Sequence, residues 1–343
     1  MTASPIAEIR ELRVHFPVRY GRQRLTARAV DGVDLTIHEG EIVALVGESG
    51  CGKTTVARTL MRLQEPSSGS VSVSGVDITR TGGRRLRRLR RDFQMIFQDP
   101  FESLPANSAV LDVVTEGLRI HHGELDSAAR RAAGLKALVQ CGLTPPEAIG
   151  ERRIFQLSGG QRQRVAIAAA LAVEPRLLVA DEPVSMLDVS LRAGILRVLL
   201  EMRERLNIGI LFITHDLALA GVFADRVAVL YLGRVVEQGA AAEVIGNPRH
   251  PYTRALVGVI PKTGTARPAS HALLTGEPPS ATATVTGCAF APRCPMYRQL
   301  GEPTLCRTKQ PALRGIDDTG PDHAVACHFP DCGPSHNTEG EHP

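Results

Sequence analysis

A glycine-rich segment that directly follows a short apolar run constrains this chain more than any other part of its sequence. The run "IVALV" (residues 42–46) leads into "GESGCGKT" (residues 47–54), and a helical pattern begins at Lys53. This arrangement is typical of a loop that binds phosphate groups between a buried strand and a helix. The chain must therefore place a glycine-rich turn at the carboxyl end of a strand, which favours an α/β fold.

The residues of this loop have complementary roles in holding a nucleotide. Glycines let backbone amides surround phosphate groups, and the amino terminus of the helix adds the positive end of its dipole. Lys53 is expected to contact the β and γ phosphates, and Thr54 to bind magnesium. Cys51 is either a small space-filling residue or, if Lys53 and the helix end lower the pKa of its thiol, a target of oxidation. The predicted contacts to the nucleotide are Gly47, Glu48, Ser49, Gly50, Cys51, Gly52, Lys53, Thr54 and Thr55.

Two further apolar runs end in polar residues that can carry chemistry. "LLVA" (residues 177–180) precedes Asp181 and Glu182, and "ILFIT" (residues 210–214) precedes His215. Short β-branched runs separated by helical stretches predict a parallel sheet, in which ligands gather at the carboxyl ends of the strands. The acid pair and the histidine are therefore expected at the same edge of the sheet as the phosphate loop.

These polar residues fit magnesium binding and hydrolysis. Asp181 is suited to holding magnesium, and Glu182 to orienting or deprotonating an attacking water. Gln98, in "MIFQDP", is a candidate for sensing the γ-phosphate near magnesium, unless it is an ordinary surface residue. His215 is a second candidate for contact with the γ-phosphate, with a structural role as the alternative.

A second potential anion site lies in "LSGGQ" (residues 157–161). Ser158, Gly159 and Gly160 precede a predicted helix whose first amides are unpaired and whose dipole favours an anion. Each glycine costs the first turn about 1 kcal/mol relative to alanine, so the pair indicates close backbone approach, with a flexible cap as the alternative. Because the first loop already covers the phosphates from one side, we predict that this helix end caps a nucleotide bound by another subunit.

The last part of the chain differs in composition from the rest. Of the 23 prolines, 12 lie after residue 260, and so do five of the seven cysteines. We predict a boundary near Pro261, which separates a domain 1–260 from a Pro/Cys-rich extension 261–343. Thiolates can hold zinc or an iron–sulfur cluster, and a tail without metal is the third alternative; Cys332 lies outside the spacing pattern. The candidate ligands are Cys288, Cys294, Cys306 and Cys327.

Overall composition limits the class of protein. The chain has 343 residues, 43% of them hydrophobic, and a net charge of +4. No apolar run approaches the roughly eighteen residues of a membrane-spanning helix, and the start of the chain lacks the pattern of a secretory signal. We therefore expect a cytoplasmic location with reduced thiols. The modest positive charge permits an anionic ligand without indicating nucleic acid.

The ordered set of motifs resembles the ATP-binding cassette (ABC) ATPase family over about residues 6–245. Besides the segments above, "LLVADEP" (residues 177–183) and "SMLD" (residues 185–188) match that family. In this family two domains pair head to tail, and the Leu-Ser-Gly-Gly-Gln signature of one closes over the ATP of the other. The resemblance implies a P-loop NTPase core with an antiparallel β subdomain, an α-helical signature subdomain at about residues 99–165, and a small Cys-rich C-terminal extension.

The resemblance also implies roles for individual positions in hydrolysis. Glu182 would be the catalytic base, and Asp181 the magnesium aspartate. Gln98 would be the lid glutamine, which also contacts magnesium, and His215 would be the γ-phosphate switch.

Other implied roles concern the adenine ring and the second subunit. Phe16 is the better match to the aromatic residue that stacks on adenine, and Tyr20 competes with it. Asp188 would be the inter-subunit aspartate. The signature residues that would contact the other subunit's ATP are Ser158, Gly159, Gly160 and Gln161.

Two stretches, residues 233–261 and 287–295, are similar to the ATPases of oligopeptide, dipeptide and nickel importers. Those proteins share a His-Pro-Tyr-Thr element, here residues 250–253, and a tail with cysteines. The resemblance implies ATP and Mg²⁺ as cofactors and a 4Fe–4S cluster on the four cysteines, with Zn²⁺ as the alternative. It implies a second ABC ATPase subunit, in a homo- or heterodimer, two transmembrane permease subunits and an extracytoplasmic solute-binding protein. The chain would then lie on the cytoplasmic face of the cell membrane.

Two other functions fit parts of the sequence. Soluble ABC ATPases also act on nucleic acid in repair or translation, but those usually carry two cassettes or a long coiled-coil insertion, and this sequence has one set of motifs. An inactive regulatory cassette is disfavoured by Lys53, Glu182 and His215. One departure from the importer group is "PANSAV" after "ESL", where an Asn-Pro-Arg-like segment is usual.

Overall fold

Strands and helices alternate along the chain in the order that the apolar runs predict. The computed structural model describes residues 4–21, 23–185, 187–260, 276–277, 279–283, 285–316 and 323–330. The predicted boundary at Pro261 and the extra cysteine Cys332 lie outside the described residues, so the division at residue 260 stays a prediction.

Twelve strands form within the described residues. They are β1 (Ala7–Tyr20), β2 (Gln23–Ile37), β3 (Ile42–Val46), β4 (Ser68–Val73), β5 (Val76–Asp77), β6 (Phe93–Ile96), β7 (Leu177–Asp181), β8 (Gly209–Thr214), β9 (Arg226–Tyr231), β10 (Arg234–Ala240), β11 (Arg314–Gly315) and β12 (Ala324–Val325).

The same residues form thirteen α-helices and two short 3₁₀ turns, Ile154–Gln156 and Ala291–Arg293. The helices are α1 (Lys53–Leu60), α2 (Gly83–Leu89), α3 (Pro100–Ser103), α4 (Val110–His121), α5 (Ser127–Gln140), α6 (Pro146–Gly150), α7 (Gly159–Leu171), α8 (Val189–Leu206), α9 (Leu217–Phe223), α10 (Ala241–Gly246), α11 (Pro251–Gly258), α12 (Pro295–Gln299) and α13 (Thr304–Thr308). No helix of the described ranges combines the length and the apolar character that crossing a bilayer requires.

The larger sheet has the strand order β11-β12-β10-β9-β3-β8-β7-β6. Its five strands from β9 to β6 run parallel, and β3, β7 and β8 are buried along their whole length. Residues buried on both faces explain why these runs are continuously apolar rather than alternating. Parallel pairing brings the carboxyl ends of β3, β6, β7 and β8 to one edge of the sheet, as the sequence predicts.

A smaller antiparallel sheet, in the order β2-β1-β4-β5, covers the other side of α1. The long pair β1 and β2 alternates in exposure because one face packs inwards, which confirms the expected antiparallel layer. Apolar residues of this sheet, α1 and the larger sheet share one core cluster that includes Ile9, Leu35, Leu45 and Val56. The phosphate loop is thus held between two sheets.

Helices α3 to α7 follow β6 and precede β7. The helices α4, α5 and α7 pack against one another, and α3 packs on α7. Their apolar residues continue into the core beneath the larger sheet, where Val114 and Leu138 meet Val165 and Phe212. The segment at about residues 99–165, which the resemblance predicts as an α-helical signature subdomain, contains helices α3 to α6 and the start of α7. Helix α7 extends to Leu171.

The tail is joined to the larger sheet and to its core. Strand β12 pairs with β10 through Glu237 opposite Val325, and β11 extends the same edge. Phe290 is 2% exposed, and its ring centroid lies 5.3 Å from that of Tyr231 and 5.5 Å from that of Tyr252. The described part of the tail therefore shares a hydrophobic cluster with the body of the protein.

This shared cluster predicts that tail and body lose structure together. Phe290→Ala should reduce the free energy of unfolding by about 3 to 5 kcal/mol, because it opens a cavity between aromatic rings. Leu305→Ala is the matched control, since that side chain is 42% exposed, and its effect should stay within about 0.5 kcal/mol. Urea unfolding followed by circular dichroism measures both, and equal effects of the two changes would contradict the shared cluster.

Candidate nucleotide-binding site

The turn between β3 and α1 requires glycine at two positions. Gly47 has φ 155° and Gly52 has φ 112°, which are values that other residues rarely adopt. A Cβ atom on Gly47 would lie 2.2 Å from the carbonyl oxygen of Leu230, and one on Gly52 would lie 2.2 Å from that of Ala29. The loop therefore fits against β9 and β2 only without side chains at these positions, and this close fit fixes its path.

Lys53 points into the curve of this loop. Its side chain is 5% exposed, and Nζ donates hydrogen bonds to the carbonyl oxygens of Gly47 at 2.9 Å and Glu48 at 3.0 Å. The ammonium group is thus already placed in the concave side of the loop, where the phosphate groups of a nucleotide would lie.

Cys51 behaves differently from one of the expectations drawn from the sequence. Burial raises the pKa of its thiol above the usual value, and the nearby Lys53 only partly opposes that effect. A buried thiol of raised pKa is largely protonated and therefore a poor nucleophile. Of the two alternatives for Cys51, the raised pKa favours the space-filling residue over the oxidation target, and the thiol lies beside Gly47.

Thr54 and Asp181 form the part of the site that suits magnesium. The Thr54 hydroxyl donates to Oδ1 of Asp181 at 3.3 Å, which links the start of α1 to the end of β7. Asp181 is 3% exposed, and burial raises the pKa of its carboxyl group. A hydroxyl and a carboxylate at this separation are hard oxygen ligands of the kind that Mg²⁺ prefers, so the donor set fits this ion.

Glu182 lies at the centre of a second polar group. Its Oε2 accepts from Nε2 of Gln98 at 3.1 Å, and its Oε1 lies 3.4 Å from Nδ1 of His215. The backbone of Glu182 has φ 45°, and its carbonyl accepts from the hydroxyl of Ser185. Left-handed backbone at a residue with a side chain costs of order 1 kcal/mol and is concentrated at functional sites. The structure thus brings the predicted base, lid glutamine and switch histidine into contact.

Gln98 contacts the proposed base and not the residues proposed to bind magnesium. The side chain is exposed and bonds to Glu182 rather than to Thr54 or Asp181. Its predicted contact with magnesium therefore requires the amide to leave Glu182.

The signature helix α7 begins with a reciprocal cap. The amide of Gln161 donates to the hydroxyl of Ser158 at 3.3 Å, and Oε1 of Gln161 accepts from the amide of Ser158 at 3.1 Å. Ser158 is exposed, and Gly159 has space for a side chain. A Cβ on Gly160 would lie 2.8 Å from Leu191, so the second glycine is needed for packing on α8. The glycines thus serve different purposes, and only Gly159 has room for a side chain, which would lie against the ring of Phe101.

The signature and the phosphate loop of the same chain belong to separate hydrogen-bond networks in the part of the chain that the structure describes. Among the described residues, no hydrogen bond or ion pair joins residues 158–161 to residues 47–55. Asp188 caps α8 by accepting from the amide of Leu191 at 2.9 Å, and it is exposed. This arrangement leaves the exposed cap of α7 available to a second subunit.

The two aromatic candidates for adenine stacking differ in exposure. Phe16 is half-buried and packs on the core between the two sheets, whereas Tyr20 is 77% exposed near the end of β1. A ring held by packing offers one face at a fixed position, which is what stacking requires. Phe16 meets this condition better than Tyr20 does.

Sequence reasoning missed two residues that contact the phosphate loop. The guanidinium group of Arg293 contacts the Glu48 carboxylate at 3.0 and 3.1 Å, and the hydroxyl of Tyr252 accepts from the amide of Glu48 at 3.0 Å. Both residues follow the last parallel strand by many positions, so no local spacing could have indicated these contacts.

The four candidate cysteines of the tail line one small cavity, together with His250 and Phe290. Burial raises the pKa of all four thiols, to about 11 for Cys288 and about 12 for Cys327. Within the parts of the chain that the structure describes, no three cysteine, histidine or acidic side chains are close enough together to form a metal-binding group. The thiols share a cavity but are not assembled as a ligand set.

Comparison with known families and structures agrees with this site. Residues 30–185 match the ABC transporter family, and residues 236–299 match the C-terminal region of oligopeptide/dipeptide transporters. A dimeric ATP-binding cassette solved in a post-hydrolysis state with ADP and Pi is 29% identical, with a TM-score of 0.62. That alignment covers 68% of this chain and 98% of the other.

Relatives of known designation match almost the full length of the chain. A peptide import ATP-binding protein of Brucella ovis is 42% identical, over 95% of this chain and 98% of its own length. The oligopeptide transport ATP-binding protein AppF of Bacillus subtilis is 38% identical, over 94% of this chain and 97% of its own. OppF of Salmonella typhimurium, with the same designation, is 40% identical over 94% and 95%. With its nucleotide site, its P-loop fold and these matches, the chain belongs to the ATP-binding subunits of ABC transporters, in the oligopeptide/dipeptide group.

Proposed function

We propose that this protein binds and hydrolyses ATP to drive an ABC importer for peptides or similar small solutes. The observation that carries the proposal is the placement of Lys53, Thr54, Asp181 and Glu182 at the carboxyl ends of β3 and β7, two strands of one parallel sheet with β8 between them. Import of peptides is what the designations of the relatives state, and none of those relatives is a nucleic-acid protein. The alternative of a soluble ATPase acting on nucleic acid therefore has no support.

ATP binding begins with the loop amides and Lys53. Residues from Gly50 to Thr55 offer backbone amides at the start of α1, and Lys53 can exchange its bonds to loop carbonyls for bonds to phosphate oxygens. Thr54 and Asp181 would hold Mg²⁺, and the ion would neutralise charge on the phosphates. Phe16 would stack on the adenine ring, with Tyr20 as the alternative.

Hydrolysis then requires a base beside the γ-phosphate. Glu182 is suited to this role because its carboxylate is 16% exposed, which leaves it within reach of one water while two partners fix its position. His215 can donate from its ring to the γ-phosphate, and Gln98 can move from Glu182 towards the magnesium ion. The proton of the attacking water passes to Glu182 as oxygen bonds to phosphorus and ADP leaves.

A second ATPase subunit would complete the site. The cap at Ser158 and Gly159 makes no hydrogen bond with the phosphate loop of its own chain within the described residues, so it can close over the nucleotide of a partner, together with Gly160, Gln161 and Asp188. The partner is a second copy or a related ABC ATPase. Two permease subunits and an extracytoplasmic solute-binding protein would complete the importer, and the chain would lie peripherally on the cytoplasmic face of the membrane.

The tail is proposed as a C-terminal extension that carries a metal site. Four thiols around one cavity are chemically suited to a 4Fe–4S cluster or to zinc, which would supply cross-links in a segment with little apolar sequence. Binding would have to draw the thiols of Cys288, Cys294, Cys306 and Cys327 together and deprotonate them against their raised pKa values.

A substitution at Glu182 tests its role as the base. In the assembled complex Glu182→Gln should keep ATP affinity within about twofold and reduce turnover by about a hundredfold or more, because a positioned base contributes roughly that much. Glu201→Gln, an exposed acid on α8, is the matched control and should turn over like the parent. Phosphate release assays measure both, and parent-like hydrolysis by Glu182→Gln would reject this residue as the base.

A substitution at Gly159 tests the contact between the signature and the other subunit's ATP. Gly159→Asp should fold normally, because the position has room and an acid at a helix start is favourable. It should nevertheless weaken ATP-dependent pairing of subunits by about tenfold or more, since the carboxylate would face the γ-phosphate of the other site. Gly159→Asn has the same size without the charge and is the control. Light scattering measures the ATP-dependent pairing of subunits in the Glu182→Gln background. Equal pairing of the Gly159→Asp and Gly159→Asn variants would count against the proposed signature contact.

The metal content of the purified protein tests the proposed site in the tail. Protein purified without oxygen should be brown and carry about four iron atoms per chain if the thiols hold a cluster. Cys306→Ser should lose the metal, whereas Cys332→Ser should keep it. Metal analysis with one zinc per chain would reject the cluster but keep the site, and metal-free protein with an ordered tail would reject both.

A further inference from the structure

We propose that Arg293 of the tail and Tyr252 of α11 act as positioning residues on Glu48 and hold the phosphate loop in its nucleotide-binding shape. This inference rests on the proposed ATPase function and adds to it a dependence of ATP affinity on residues outside the catalytic motifs.

Arg293 makes a two-pronged contact with the Glu48 carboxylate. One terminal nitrogen lies 3.0 Å from Oε2, and the other lies 3.1 Å from Oε1. The side chain of Arg293 is 6% exposed and that of Glu48 is 27% exposed, so the pair is largely shielded from water. Paired charge-assisted hydrogen bonds of this geometry are stronger and more directional than a single contact.

Tyr252 holds the same residue by its main chain. Its ring is fully buried, and its hydroxyl accepts from the amide of Glu48 at 3.0 Å. The tyrosine stands in the first turn of α11, where the side chain of His250 accepts from the amide of Tyr252 at 3.1 Å. Together with the bond from Lys53 to the carbonyl of Glu48, these contacts engage the amide, carbonyl and carboxylate of one loop residue.

The charges of Glu48 and Arg293 affect the affinity of the loop for ATP. A carboxylate in a loop that surrounds phosphate groups repels the ligand, and its effect is larger because the site is partly shielded from solvent. Arg293 compensates that charge and fixes the carboxylate on the side of the loop that faces the tail. A loop already held in shape also loses less conformational entropy when ATP binds.

A role of Arg293 only in attaching the tail to the body predicts a different result for ATP binding. The tail is already attached through β12 and through a buried contact between His323 and Glu237 at 2.8 Å, and neither attachment involves a residue of the loop. If Arg293 only fastened the tail, its loss would lower stability and would affect ATP binding in the same way whether or not residue 48 carried a charge. If it acts on the loop, the effect on ATP binding must depend on that charge.

The experiment is a double-mutant cycle in the full chain within its complex. Dissociation constants for Mg-ATP are measured at equilibrium for the parent, Arg293→Gln, Glu48→Gln and the double variant, with thermal unfolding recorded for each. Arg293→Gln should weaken ATP binding by about tenfold or more, because it leaves the carboxylate uncompensated. In the Glu48→Gln background the same change should weaken binding by no more than about threefold.

Two further variants keep the test interpretable. Arg298→Gln removes an exposed arginine of α12 in the same tail and should leave ATP affinity unchanged. Tyr252→Phe removes only the hydroxyl that accepts from Glu48 and should weaken binding by about two- to tenfold, which holds even if Arg293→Gln fails to fold.

The outcomes separate this inference from the proposed function. A parent that binds and hydrolyses ATP, with Arg293→Gln and Tyr252→Phe of parent-like affinity, would overturn the inference alone. An equal loss from Arg293→Gln in both Glu48 backgrounds would also overturn it. A parent that binds no ATP would overturn the proposed function itself.

Discussion

Parallel pairing of β3, β8, β7 and β6 is the constraint on which the rest of the structure depends. Strands β3, β7 and β8 are buried along their whole length, so their polar groups appear where each strand ends. The turn after β3 supplies loop amides and Lys53, the end of β7 supplies an acid pair, and a histidine follows β8. The sheet therefore brings the residues of the nucleotide site to one edge. The glycines at 47 and 52 let the loop lie against the backbone of β9 and β2.

Local sequence patterns predicted the parts of the site that follow directly from a strand. The loop, Asp181 with Glu182, and His215 each adjoin a continuous apolar run, so the α/β fold and its edge could be derived without long-range information. The contact between Gln98 and Glu182 spans 84 positions, and only the strand order brings the two together. The sequence left two alternatives open for Cys51, because it shows a neighbouring charge but not the burial that outweighs that charge and raises the pKa of the thiol.

The tail shows a limit of composition as a guide. Its prolines and cysteines indicate a segment that is poor in core residues, and they predict a boundary. They do not show that Phe290 enters the aromatic cluster of the body, or that Arg293 reaches a loop residue 245 positions earlier. One arginine of the extension contacts the phosphate loop, and one aromatic ring packs beside the tyrosine that bonds to the same loop residue. The coupling of tail and loop is therefore a property of tertiary packing.

The central claim is that one nucleotide lies between the phosphate loop of one subunit and the signature of another. A structure of the Glu182→Gln protein with Mg-ATP, determined by electron cryo-microscopy of the complex, tests it most directly. The account predicts ATP phosphates against the amides of residues 50–55, with the helix cap at residues 158–159 of the second subunit facing the γ-phosphate. ATP bound in this loop with both signatures turned to solvent in the closed complex would contradict it.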